Sequence, residues 1–418
     1  METVRLDRDV FQTIASNGVR ILSEHVPSVR SVAAGIWVRS ASVHEPRDEM
    51  GVSHLLEHMV FKGTARRTAH EIALELEARG GSLDAYTSRD TTAYQARVLD
   101  ADLPRALDVL TDLVRRPALR QDDLDLERNV ILEEINTVQD TPDDLVFDLT
   151  AETLWPEHPY GYSILGTRES VTGLSAEHLR RLHERAYFPG NCVIAAAGNV
   201  AHESLVDLVA SQGWLDAPNG SGAAHAVPHS RPAERGREAR HTKDTAQTHI
   251  VLATDTVRFA DPRKYALLAL SNVFGGGMSS RLFQRVREEL GLAYAVYSYT
   301  HFYGHVGVLG TYVGTQPKTA PQALEAIRGE YAKLAREGLT PETLEQAKRQ
   351  TQGQLTLMLE SPTARMYRLA SFAVHGEPYR GLDATLSEIA ALTPERAAEV
   401  AAEFFAPERQ TLVWLGPN

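Results

Sequence analysis

Apolar and polar residues alternate with a period of two through VRILSEHV (19–26), SVAAGIWVRSA (31–41) and SLDAYTSRDTTAYQARV (82–98). That is the pattern of strands, the last of them folded into a hairpin. The spacing turns helical in GVSHLLEHMVFKG (51–63) and HEIALELEARG (70–80), and in three longer stretches from about 102 to 115, 122 to 139 and 144 to 154. NCVIAAAG (191–198) then reads as a buried strand. Strands followed by a run of helices and a closing strand define an α+β class.

The same plan recurs. LSAE (174–177), YFPG (187–190) and CVIAAAG (192–198) are echoed by LTPE (392–395), FAPE (405–408) and QTLVWLG (410–416), each 218 residues further on. A weaker echo joins GSLDAYTS (81–88) to GLAYAVYS (291–298). Two homologous α+β domains in tandem account for both, each expected to carry an antiparallel-rich sheet covered by helices. Residues 216–246, rich in Gly, Pro, Ser, Ala and charge, read as the connection. The expected division is a first domain over 1–225, a linker over 226–246 and a second domain over 247–418.

Composition narrows the function. With 418 residues and 43% hydrophobic content the chain can bury a core in each domain. A net charge of −12 argues against a nucleic-acid partner and leaves cationic peptides open. Cys192 is the one cysteine, which excludes an intrachain disulfide and a thiolate metal cluster, and its apolar setting points to a structural thiol. The first residues, METVRLDRDVFQ, lack an apolar leader segment, and no run of about 18 apolar residues occurs. The expectation is a soluble, cytoplasmic protein without a membrane partner.

The chemistry concentrates in GVSHLLEHMVFKG. His54 and His58 stand one helical turn apart, about 40° from one another around the axis, so both imidazoles can reach one ion. Glu57 lies on the same arc, while Leu55, Leu56 and Met59 turn toward apolar packing. Two neutral imidazoles suit zinc, and a neighbouring carboxylate could take a proton from water; two solvated surface histidines are the plainer alternative. Catalytic zinc wants a third protein ligand. In the helix over 122–139 the stripe Leu124, Ile131, Ile135 and Val138 faces inward, with Glu127 and Glu134 along its edge and Glu133 turned to solvent. Glu134 is thus a candidate third ligand and Glu127 a carboxylate that could orient a histidine.

HLLEH followed by Glu134, together with HMVFKGT, GGSLDAYTSRD and ERNVILEEI, resembles the inverted-zincin motif of the pitrilysin and insulin-degrading enzyme family, nearest its mitochondrial processing peptidase-like branch. The resemblance runs through the whole chain. It implies one Zn2+ per chain on His54, His58 and Glu134, with Glu57 as general base of a zinc endopeptidase acting on extended peptides. The second half has no histidine pair. It instead carries Arg287 and Tyr294, which match a family pair that donates hydrogen bonds to substrate or oxyanion. The resemblance also assigns Phe61, Asp84 and Ala85 to peptide binding, the last two on an edge strand, and Asp144 and Asp148 to a basic substrate residue. Four such domains enclose a chamber in long family members, so a homodimer is implied here. Family members without activity, structural or regulatory, and subunits of a heterodimeric processing peptidase mark the alternatives; the intact motif speaks against the inactive ones.

Overall fold

The computed structural model describes residues 1–220, 227 and 233–417. The chain divides into two compact units, one made of Met1–Ile135, Ser163–Val227 and Met358–Gly381, the other of Asn136–Tyr162, Pro228–Leu357 and Leu382–Asn418.

The first unit is built on strands β1 (Glu2–Asp7), β2 (Val10–Ile14), β3 (Arg20–His25), β4 (Ser31–Val38), β5 (Ser82–Thr87), β6 (Thr92–Leu99) and β7 (Cys192–Gly198), in the order β1-β2-β3-β7-β4-β6-β5. Only the β3–β7 pair is parallel. Central β4 is apolar on both faces because both are covered. Val32, Ala34, Ile36 and Val38 enter the core shared with the helices Val52–Val60, Leu103–Arg115 and Ala176–Ala186. Ala33 and Trp37 face the other way, joining Leu22, Ala93, Val193 and Ala195 against Met366, Leu369, Ala370 and Ala373 of the helix Pro362–Val374. Cys192 lies inside the first core, where burial pushes its thiol up to about 12, as suits an inert structural residue.

The second unit carries β8 (Glu238–Thr242), β9 (Thr248–Thr256), β10 (Ala293–Phe302), β11 (Gly307–Thr315) and β12 (Thr411–Gly416), in the order β10-β11-β9-β12-β8. The helix Pro142–Leu154 packs on β9 and β12, with the Phe147 ring 5.3 Å from that of Tyr299 and 5.7 Å from that of Tyr312.

The α+β class, the tandem plan and each helix expected in the first half are present. The division into domains differs from the sequence-based one. The boundary at 225/226 lies outside the described residues, but the expected linker 226–246 contains β8, which pairs in parallel with β12. Backbone pairing holds this short edge strand, and its residues EARHT offer no apolar alternation to read. The hairpin strands β1 and β2 also escaped notice; β1 is mostly exposed and β2 is only five residues long. More consequentially, the helices Pro142–Leu154 and Pro362–Val374, which occupy matching places in the two repeats and both begin with proline, are exchanged. Each belongs to the unit built on the other half's sheet. Among the described residues, no helix is long and apolar enough to cross a membrane.

Candidate metal centre

The helix Val52–Val60 presents its apolar residues inward, with Leu55, Leu56 and Met59 fully buried. It starts at Gly51, whose φ of 88° and tight approach to the Leu165 carbonyl, 2.6 Å from where a Cβ would stand, admit only glycine. A glycine cap brings no side chain to the free N–H groups of the first turn. Glu45 supplies one from outside: its carboxylate accepts from the backbone N–H of Gly51 and of Ser53, both at 2.8 Å.

Burial raises the Glu45 carboxyl to about 7 from the ordinary 4.5, against the lowering effect of those hydrogen bonds. A folded-state value above the unfolded one means that this stabilising contribution is complete below about pH 4.5 and is lost as pH rises through about 7. Thermal unfolding of metal-free protein across that window should therefore show the wild type losing ground to Glu45→Gln as pH rises. A constant difference would contradict the assignment.

The helix Gln121–Asp140 buries Leu124 and Ile131 and packs Leu132 and Ile135 against the same core. Arg128 ties it down by donating to the Leu174 carbonyl at 2.8 Å. This register leaves Glu133 exposed and brings Glu134 to the histidines. Glu134 Oε2 stands 3.6 Å from His54 Nε2 and 3.7 Å from His58 Nε2. A tetrahedral ion with bonds of 2.0–2.1 Å needs ligand atoms about 3.4 Å apart, so the three donors are close to a ready-made site. Two further observations fit a cation. Glu134 Oε2 is buried and has no hydrogen-bond partner. Burial, followed by the charge of His58, drives His54 down to about 3, which keeps its imidazole in the neutral form a metal requires. Among the described residues, no other His, Cys, Asp and Glu side chains converge in this way.

The surroundings orient the donors. Glu127, buried, holds His58 Nδ1 at 2.9 Å, leaving Nε2 for the ion. Lys62 forms a close ion pair with the other oxygen of Glu127. Glu57, also buried, stands apart from the three converging donors; its Oε2 accepts from Thr87 Oγ1 at 2.6 Å. Its pKa is raised, by burial above all, and opposed chiefly by the Thr87 hydrogen bond. A carboxylate adjusted in this way suits a base.

The other sequence-derived residues divide between the units. Phe61 ends the histidine helix, half-buried against the core. Asp84, exposed, and Ala85 lie on β5, the end strand of its sheet. Arg287 and Tyr294 come together in the second unit: Arg287 donates to the Tyr294 carbonyl at 3.0 Å and lies over its ring at 4.5 Å. Tyr294 is 79% exposed, its phenol open to a ligand. Asp144 is exposed in the first turn of the helix Pro142–Leu154, and Asp148 lies one turn on. Sequence reasoning missed Thr87, Lys62 and Glu45. Thr87 carries a readable signal, since it continues the face of Leu83 and Ala85 on β5 that meets the histidine helix.

Paired α+β repeats, one bearing a convergent His-His-Glu cluster and the other, among the described residues, none, define a two-domain chain with one candidate metal centre. It belongs to the insulinase family, peptidase family M16: residues 20–168 match the model of that family, and residues 173–351 match the model described as the peptidase M16 inactive domain. An uncharacterized zinc protease of Streptomyces coelicolor is 38% identical, the alignment covering 98% of this chain and 90% of the relative. The uncharacterized zinc protease YmxG of Bacillus subtilis is also 38% identical, covering 96% and 97%. Among solved structures, a peptidase M16 inactive domain from Pseudomonas fluorescens superposes with a TM-score of 0.91 at 22% identity over 98% of both chains. A protease from Helicobacter pylori does so with a TM-score of 0.90 at 23% identity, covering 97% of this chain and 99% of that one. At such identities these two structures speak to fold alone.

Proposed function

We propose that the chain is a zinc endopeptidase that cuts extended or unfolded peptides, working as a homodimer whose two copies enclose a closed chamber. The observation that carries this reading is the convergence of His54 Nε2, His58 Nε2 and Glu134 Oε2 beside the separate carboxylate of Glu57. The names of the relatives support it. One zinc per chain, held by those three residues, supplies a Lewis acid for water and for the peptide carbonyl. Glu57 takes the proton of the attacking water and hands it to the leaving amine. Glu127 keeps His58 in the tautomer that offers Nε2. An extended peptide adds to the edge of β5 by main-chain hydrogen bonds beside Asp84 and Ala85, with Phe61 at the end of the histidine helix also in contact. Asp144 and Asp148 receive a basic side chain, and Arg287 and Tyr294 of the second copy donate to the substrate backbone or to the developing oxyanion. The cytoplasm is the proposed location.

The test is cleavage of an unstructured peptide library by the purified chain, with and without a chelator, followed by sequencing of the products. Zinc-dependent cutting is expected; a zinc-loaded chain that cuts nothing would favour a structural or regulatory role. Sharing across copies has its own outcome. Glu57→Gln and Arg287→Ala chains, each nearly inactive, should recover about a quarter of wild-type activity when mixed, because half of the dimers are mixed and each has one intact site. No recovery despite demonstrated subunit exchange would overturn the shared arrangement.

A further inference from the structure

We propose that Thr87 is a positioning residue that fastens the carboxylate of Glu57 to β5, so that the strand on which a peptide docks also aims the base. This rests on the peptidase reading above.

β5 is the last strand of its sheet and pairs on one side only, with β6, in a register that ends at Thr87 opposite Thr92. Alternation sends its side chains to two places. Tyr86 turns to the far face, where its hydroxyl accepts from Trp37 Nε1 at 3.2 Å. Leu83, Ala85 and Thr87 turn to the face packed by the histidine helix. The strand end is fixed in place: Ser88 N–H donates to the Thr91 carbonyl at 2.9 Å across the turn, and Val43 N–H donates to the Arg89 carbonyl at 2.9 Å.

From this anchored end Thr87 donates its one hydroxyl proton to Glu57 Oε2 at 2.6 Å. Among the described residues it is the hydrogen-bond donor to Glu57. Without it, a glutamate projecting from a helix can turn about three side-chain bonds, and each alternative places the carboxylate elsewhere. With it, one oxygen is engaged and the other is left to take a proton. A base must lie within hydrogen-bond reach of the water it activates, and small misplacement is costly in rate. The hydroxyl therefore matters for turnover and not for holding metal or peptide: the metal donors are other residues, and a docked peptide would use the strand's backbone.

Two substitutions separate these roles. Thr87→Val keeps size and β-branching but removes the donor, whereas Thr87→Ser keeps the donor. Thr87→Val should lower kcat by about 10–100-fold with KM within about twofold of wild type, and Thr87→Ser should restore most of the loss. Zinc affinity, measured by chelator competition, should be unchanged in both. A readout without turnover is the affinity for a peptide hydroxamate, whose polar hydrogens seek the base carboxylate, against that for the same peptide lacking the hydroxamate. Thr87→Val should weaken only the former, by about tenfold. The inference is overturned if Thr87→Val keeps wild-type kcat and hydroxamate affinity while Glu57→Gln is inactive, or if its defect lies in KM or zinc affinity and serine does not restore it. If the wild-type zinc-loaded chain cleaves no peptide, the peptidase reading has failed, and the hydroxamate comparison alone decides whether Thr87 positions Glu57.

Discussion

Glu57→Gln should retain one zinc per chain and lose peptide hydrolysis by about 10²–10⁴-fold. The carboxamide has the size of the carboxylate and can still accept from Thr87, so the helix Val52–Val60 and its two imidazoles stay in place. What disappears is the ability to take a proton from water. Glu57 is not one of the three donors that converge, which is why metal content and activity should separate. Metal analysis by mass spectrometry beside steady-state kinetics reads both quantities, and zinc lost along with activity would show Glu57 to be a ligand.

Adjacent glutamates give the second large effect. Glu134→Gln should weaken zinc binding by a factor on the order of ten to a thousand, whereas Glu133→Gln should be nearly silent. The two residues differ by one step on the same helix, but that step turns one carboxylate to the histidines and leaves the other exposed. Competition with a chromogenic chelator measures the difference. Equal effects would mean that the helix binds in another register.

The histidine helix and its third partner were legible because both depend on helical period alone. His54, Glu57 and His58 fall on one arc of a nine-residue helix, and the angle between Glu134 and the stripe of Leu124 and Ile131 follows from 3.6 residues per turn. The Glu127–His58 contact followed from the same register. Thr87 and Glu45 act across elements, and their partners depend on how β5 and the 42–45 turn lie against the helix, which no local pattern encodes. Nor does Glu45 stand at the spacing of an ordinary capping residue: it reaches Ser53 from eight residues back. Of the strands that escaped detection, β1 and β8 are edge strands with little to bury, whereas β2 is short and β9 and β11 are buried along their whole length and so lack the alternation that marks a half-exposed strand. Destination was the hardest property to read. An amphipathic stripe such as Met366, Leu369, Ala370 and Ala373 states that a helix must be covered but not which sheet will cover it.

That exchange of helices alters what a cut in the chain would do. The backbone passes from one unit to the other five times along its length. If the chain were divided between residues 220 and 233 and the pieces separated, the N-terminal piece would lack cover for its sheet face of Leu22, Trp37, Ala93 and Val193, and the C-terminal piece would hold that cover, the helix Pro362–Val374. The loss is mutual, since the helix that packs on β9 and β12 stays with the N-terminal piece. Neither piece by itself carries the full cover of its own sheet. Each half of the duplicated plan completes the other, so a split version is expected to fold only with both chains present.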